Sequence, residues 1–142
     1  EAKLSQNISP LTDKFDLDFA FSWNSSLGDI QNMYLKAYDD AGNLLMQIGF
    51  VDAWTGQTGA KSVWVAGKSF TTAASTLSQA GSAIVEIDRD AAGTVSVKWD
   101  GQTVLTNTMT TTIARVELSF ARFGNISFGT VSVDQLKIAS IP

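Results

Sequence analysis

Three acids stand at alternate positions in the segment AIVEIDRDAAG, residues 83–93: Glu86, Asp88 and Asp90. Successive side chains of a strand point to opposite faces, so in extended backbone all three would share one face. Two carboxylates so placed can cleave a sugar bond, one as nucleophile and the other as acid and base. The same residues also read as a solvated strand face running into a turn. Asp90 opens Asp90-Ala91-Ala92-Gly93, where an aspartate commonly accepts a hydrogen bond from backbone two residues on. The pattern Asp88-x-Asp90-x-x-Gly93 hints at a calcium loop. It has Ala92 at the fifth position and Trp99 at the twelfth, where ligands are needed, and this excludes an EF-type site.

A second set of residues points to binding rather than bond cleavage. Tyr34, Lys36 and Tyr38 alternate with the apolar Met33, Leu35 and Ala37 and so take the opposite face. Trp64, between Val63 and Val65, is expected to turn away from the core in the same manner, and Asp52 and Trp54 lie in the polar, glycine-rich stretch VDAWTGQTG. An exposed aromatic ring beside Asp, Lys and Gln suits a sugar: its flat face stacks on a pyranose while polar neighbours bond the hydroxyls. The competing reading is that these rings pack under loops or cover the second sheet.

Composition closes much other chemistry. The 142 residues contain no cysteine and no histidine, which excludes disulfides, thiol nucleophiles, Cys/His zinc sites and any Ser-His-Asp triad. A formal charge of −4, with ten scattered Lys and Arg, gives no footprint for nucleic acid or an anionic membrane, so neither is expected as a partner. No apolar run approaches the roughly 18 residues of a membrane span. The chain begins at Glu1 without a methionine, which reads as a mature chain or a module cut from a larger protein. Its length predicts one domain across residues 1–142.

The elements that must position these residues are strands. KFDLDFAFSW alternates Phe15, Leu17, Phe19, Phe21 and Trp23 against Asp16, Asp18, Ala20 and Ser22. QNMYLKAYDDAGNLLMQIGFVD reads as a hairpin turning at residues 39–43, with Leu44, Met46, Ile48 and Phe50 on one face of its second arm. AIVEIDRDAAGTVSVKWDGQTVL repeats the design, and Asp100-Gly101 is its strongest hairpin signal. TIARVELSFARF places Ala114, Val116, Leu118 and Phe120 on the core face, and the alternation of TVSVDQLKIASI slips at Asp134, which predicts a bulge. FTTAASTLSQAG reads as a loop with a turn of helix, and EAKLSQNIS can supply a strand ahead of Phe15. Eight to ten short antiparallel strands with polar turns predict an all-β fold: a two-sheet antiparallel β-sandwich, or jelly roll.

The order of FDLDFAFSW, LKAYDDAGNLLMQIGF, AIVEIDRDAAGTVSVKWDGQTV, IARVELSFARF and VSVDQLKIASIP resembles the concanavalin-type, laminin-G-like jelly rolls over roughly residues 14–142. That superfamily contains lectins, pentraxins, many carbohydrate-binding modules and a family of glucanases, so the resemblance implies a fold and a range of functions. The glucanases carry Glu-x-Asp-x-Glu on one strand, and Glu86-Ile87-Asp88-Arg89-Asp90 departs from it at the last acid. An Asp there draws the carboxyl back by about 1.5 Å, whereas catalytic geometry tolerates about 0.5 Å. Related modules often hold a structural calcium near the closing strand, which makes Asp134 the metal candidate, although no cofactor is required and the favoured reading is an Asp that caps the bulge. The resulting expectation is a noncatalytic carbohydrate-binding module, secreted or at the cell surface, bacterial, and part of a larger protein. It would recognise a polysaccharide or glycan through Tyr34, Lys36, Tyr38, Asp52, Trp54 and Trp64. A structural or adhesive surface domain and a glucanase using Glu86, Asp88 and Asp90 are the alternatives.

Overall fold

The computed structural model describes residues 2–11, 14–24, 30, 32–51, 59–73, 77–121 and 129–141. Alternation decides the second strand, β2 (Phe15–Asn24): every odd-numbered side chain from Phe15 to Trp23 is buried and every even-numbered one only partly so. Burial of each such large apolar side chain is worth about 1.5–3 kcal/mol. It fixes the register, because a slip by one residue would send five aromatic and aliphatic groups into water.

The described residues form eleven strands, several of them with the same alternation. Around β2 they are β1 (Ala2–Leu11), β3 (Asn32–Tyr38), β4 (Leu44–Val51), β5 (Ala60–Val65), β6 (Lys68–Thr71) and β7 (Ala80–Arg89). The chain continues with β8 (Thr94–Trp99), β9 (Gln102–Thr108), β10 (Ile113–Ala121) and β11 (Thr130–Ser140). They pair antiparallel in a six-stranded sheet, β1-β10-β3-β4-β5-β6, and a five-stranded sheet, β11-β2-β7-β8-β9. The fold is thus the antiparallel β-sandwich that the alternation predicts, with β1 supplying the strand ahead of Phe15. Among the described residues of FTTAASTLSQAG none is helical: Phe70 and Thr71 end β6, Leu77 bridges Gly59, and Ala80 begins β7.

Aromatic rings from both sheets meet in the core. Phe21 packs against Phe50 of the facing sheet at 5.9 Å between centroids and receives Trp99 edge-on at 5.5 Å. Trp23 lies 5.4 Å from Phe50, and its indole N–H, which burial would otherwise strand, donates to the Ser78 carbonyl at 2.9 Å. Gly81, across the ladder from Trp23, leaves room for that ring: a Cβ there would come within 2.9 Å of it. Arg89 is a buried charge lying over the Phe15 ring. Its guanidinium donates to the carbonyls of Leu11, Met109 and Thr111, which ties β1 and the segment after β9 to β7.

The two flanks of the sandwich differ. On one side Lys68 Nζ donates to the Thr106 carbonyl at 2.9 Å and Asn107 Nδ2 to the Val65 carbonyl at 2.8 Å, which stitches the β5–β6 hairpin to β9. On the other side the first and last strands, β1 and β11, border grooves of about 320 and 560 Å³ and leave Leu4 and Leu136 exposed.

Two details depart from the simple alternation. Met46 pairs with Ala37 but Leu44, not Leu45, pairs with Tyr38, so a bulge at Leu45 turns that side chain inward. Leu44 therefore leaves the core face on which the alternation put it. On β10, Val116 is buried while Leu118 and Phe120 are only partly so, and the outward Glu117 and Ser119 are more hidden than either.

Candidate functional site

The outer face of the six-stranded sheet collects the residues that alternation turned away from the core. Cross-strand register aligns Ser5, Glu117, Lys36, Gln47, Trp64 and Ser69 in one row across all six strands. A neighbouring row runs Lys3, Ser119, Tyr34, Gly49, Ser62, Thr71, and a third, shorter one Asn7, Arg115, Tyr38. Directly opposed side chains on one face are about 4.5–5.5 Å apart at Cβ, so each row is a line of near neighbours.

Glu117 organises the centre of this face. Its side chain is 7% exposed, yet it meets Arg115 Nη1 at 3.4 Å, Lys3 Nζ at 3.7 Å and Lys36 Nζ at 4.0 Å, and it accepts a hydrogen bond from Tyr38 Oη at 3.3 Å. A carboxylate facing outward is hidden because these four side chains cover it. The arrangement has an electrostatic consequence for Tyr38: its burial, with Glu117 alongside, pushes the phenol above its usual range, so it stays a hydrogen-bond donor at physiological pH. The Arg115 guanidinium lies 4.0 Å over the Tyr38 ring and Lys36 Nζ 6.0 Å from the centre of the Tyr34 ring. Among the described residues no ring or cation contact engages Trp64, which is half-buried between the inward Val63 and Val65. Beside Tyr34, Ser119 is fully buried and its Oγ has no hydrogen-bond partner.

Tyr34, Lys36, Tyr38 and Trp64 therefore come together on one face, with unequal roles. The two tyrosines are held by cations and a carboxylate, whereas Trp64 is half-buried with no such contact among the described residues. Asp52 and Trp54 lie outside the described residues. Arg115, Glu117 and Ser119 of β10, with Gln47 of β4 and Ser62 of β5, are added to the face, although sequence reading did not single them out. The alternation in TIARVELSFARF does put Arg115, Glu117 and Ser119 on its polar side. Their neighbours come from strands some 80 positions away, which local pattern does not reveal.

The acids of residues 83–93 sit on the other side of the molecule. Glu86 and Asp88 face outward from the five-stranded sheet, where register sets Asp18 opposite Glu86 and Asp16 opposite Asp88. Lys98 Nζ pairs with Asp88 at 3.2 Å, and Lys137 Nζ lies 3.6 Å from Asp16 and 3.7 Å from Asp18. Asp90 serves the turn: its Oδ1 accepts from the backbone N–H groups of Ala92 at 2.9 Å and Thr94 at 2.8 Å, and these hold its carboxyl below the usual range. Asp90 is thus occupied by backbone and parts from Glu86 and Asp88. Asp134 is exposed at the β11 bulge, where the register shifts between Val133 and Gln135 as the sequence slip predicts. Among the described residues no three acids come together to hold a metal ion, Asp134 included.

No family model and no curated protein matches the chain. Solved structures do match its fold. A tetrameric galectin from the ball sponge Cinachyrella sp. superposes with a TM-score of 0.70 at 13% identity, covering 96% of this chain and 99% of that one. The CBM2 module of the evolved Dit of Lactobacillus casei BL23 phage J-1 gives 0.69 at 12% identity, over 96% of this chain and 67% of the other. An alginate lyase from Pseudomonas aeruginosa gives 0.60 at 14% identity, over 92% and 66%. At these identities the likeness is one of fold: the chain shares the two-sheet antiparallel β-sandwich of a galectin, a binding module and a lyase.

Proposed function

We propose that the chain is a noncatalytic carbohydrate-binding domain, secreted or at a cell surface and part of a larger protein, whose ligand lies across the outer face of the six-stranded sheet. The observation that carries this reading is the cross-strand row in which the accessible Trp64 indole stands beside Gln47, Lys36 and Glu117. Trp64 is the stacking platform. Gln47 offers both donor and acceptor, and Lys36 donates. Tyr34 and Tyr38 shape the surface, and their hydrogen-bonding groups border it. The face is shallow, which suits a polymer that crosses it rather than a small molecule engulfed by it. Support for a noncatalytic role comes from the acids: Glu86 and Asp88 lie on the opposite sheet, with Asp88 held by Lys98 and Asp90 spent on a turn.

A broad glycan and polysaccharide array tests this reading, run with wild type and Trp64→Ala. A specific hit whose affinity falls at least tenfold in the variant, with an unchanged far-ultraviolet spectrum, is the expected result. Full affinity in Trp64→Ala overturns the assigned face. A blank array from folded protein overturns sugar binding altogether and leaves a structural or adhesive domain.

A further inference from the structure

The charge on this molecule is divided between its two faces. Its formal charge is −4, yet among the described residues the strands of the six-stranded sheet carry Lys3, Lys36 and Arg115 on its outer face against the carboxylate of Glu117. The opposite face carries Asp16, Asp18, Glu86 and Asp88 against Lys98 and Lys137. Charge of one sign is thus concentrated on the face that bears Trp64, against the sign of the whole. Two turn acids, Asp39 and Asp40, lie at the rim beyond Arg115, where they line a small groove with Asn7 and Gly42. Asp39 is committed there, accepting from the backbone N–H and side-chain amide of Asn43 at 2.7 and 2.8 Å. Lys36 is the cation nearer the aromatic ring: it is separated from Trp64 only by Gln47 in the same row, about 10 Å at two strand spacings.

From this we propose that the ligand is an acidic saccharide, bearing carboxylate or sulfate groups, with its anionic unit over Lys36 and Arg115 and an adjoining unit stacked on Trp64. The inference rests on the binding reading above and specifies its substrate class. Converging cations around one buried carboxylate form a preset receptor: Glu117 holds Lys36, Lys3 and Arg115 in place, so their ordering is largely complete before a ligand arrives. Arg115 adds a planar fork matched to a carboxylate or sulfate. The acidic opposite face repels the same polymer, so the charge pattern also selects which side of the domain meets it.

The test measures binding to three acidic polysaccharides, sodium hyaluronate, sodium polygalacturonate and dextran sulfate, and to the carboxyl-reduced or desulfated partner of each. Wild type, Lys36→Gln/Arg115→Gln, Trp64→Ala and Lys137→Gln are compared at low and physiological salt, after their folding is verified by circular dichroism. The expected result is at least a tenfold preference for an acidic member over its neutral partner, weakening with salt, lost in the double variant and unchanged in Lys137→Gln. The carboxylate and sulfate arms then tell which anion is read. Equal binding of acidic and neutral partners, or a preference that survives in the double variant, overturns this proposal and leaves the sugar-binding reading intact. Absence of binding to every polymer by folded wild type overturns this proposal, and the broad array decides the sugar-binding reading separately.

Discussion

Individual carboxylates in this protein do unlike things, and their surroundings decide which. Asp90 and Asp39 accept hydrogen bonds from amides in their own turns, which lowers their proton affinity. The stability they lend is present above the ordinary aspartate range and is lost as pH falls through their lowered folded values. Asp16 is the opposite case. Burial, and then Asp88 directly across the ladder, raise its carboxyl above 3.8, while Lys137 only partly offsets them and Asp18 adds to the repulsion. Folding therefore favours the protonated form of Asp16, and its contribution is greatest below the unfolded value and lost as pH rises through the folded one. Asp16→Asn, which is neutral throughout, should raise the melting temperature more at pH 7 than at pH 3. A larger gain at pH 3 would mean that attraction to Lys137 outweighs the crowding by Asp88.

Among the elements, hairpins show where sequence speaks and where it is silent. Asp100-Gly101 is the expected two-residue turn, both residues having positive φ, 50° and 78°. The β5–β6 hairpin uses the same geometry at Ala66 and Gly67, with φ of 45° and 88°. Alanine carries a Cβ into the left-handed region at a cost of about 1–2 kcal/mol, and asparagine tolerates it better. Ala66→Asn should therefore raise the unfolding free energy, by up to about 1 kcal/mol, in a urea titration. That hairpin escaped the sequence because Ala-Gly is not a turn signature, whereas β2, the outward Tyr34, Lys36 and Tyr38, and the slip at Asp134 were written in local alternation. What alternation does not carry is strand order. That Glu117 would lie beside Lys36, and Arg115 beside Tyr38, depends on β10 crossing to pair with β3. The bulge at Leu45 was hidden for a related reason: the run Leu44-Leu45-Met46 is apolar at every position, so period two gives it no preferred phase.

Across the whole molecule, two packed sheets share a core of large rings while their margins are unequal. Phe21, Phe50 and Trp99 bind the layers near the middle, and Lys68 and Asn107 fasten one flank with hydrogen bonds to backbone carbonyls. The flank formed by β1 and β11 has grooves between the layers and exposed leucines on both strands. This flank should therefore open most easily. The sandwich should breathe like a book bound along β6 and β9, its covers parting at β1 and β11 while β7 and β8 stay shut. In amide hydrogen exchange read by mass spectrometry, protons of β11 should be replaced well before those of β7, and those of β1 before those of β3. Simultaneous exchange of all four strands would mean that the sandwich opens only as a whole.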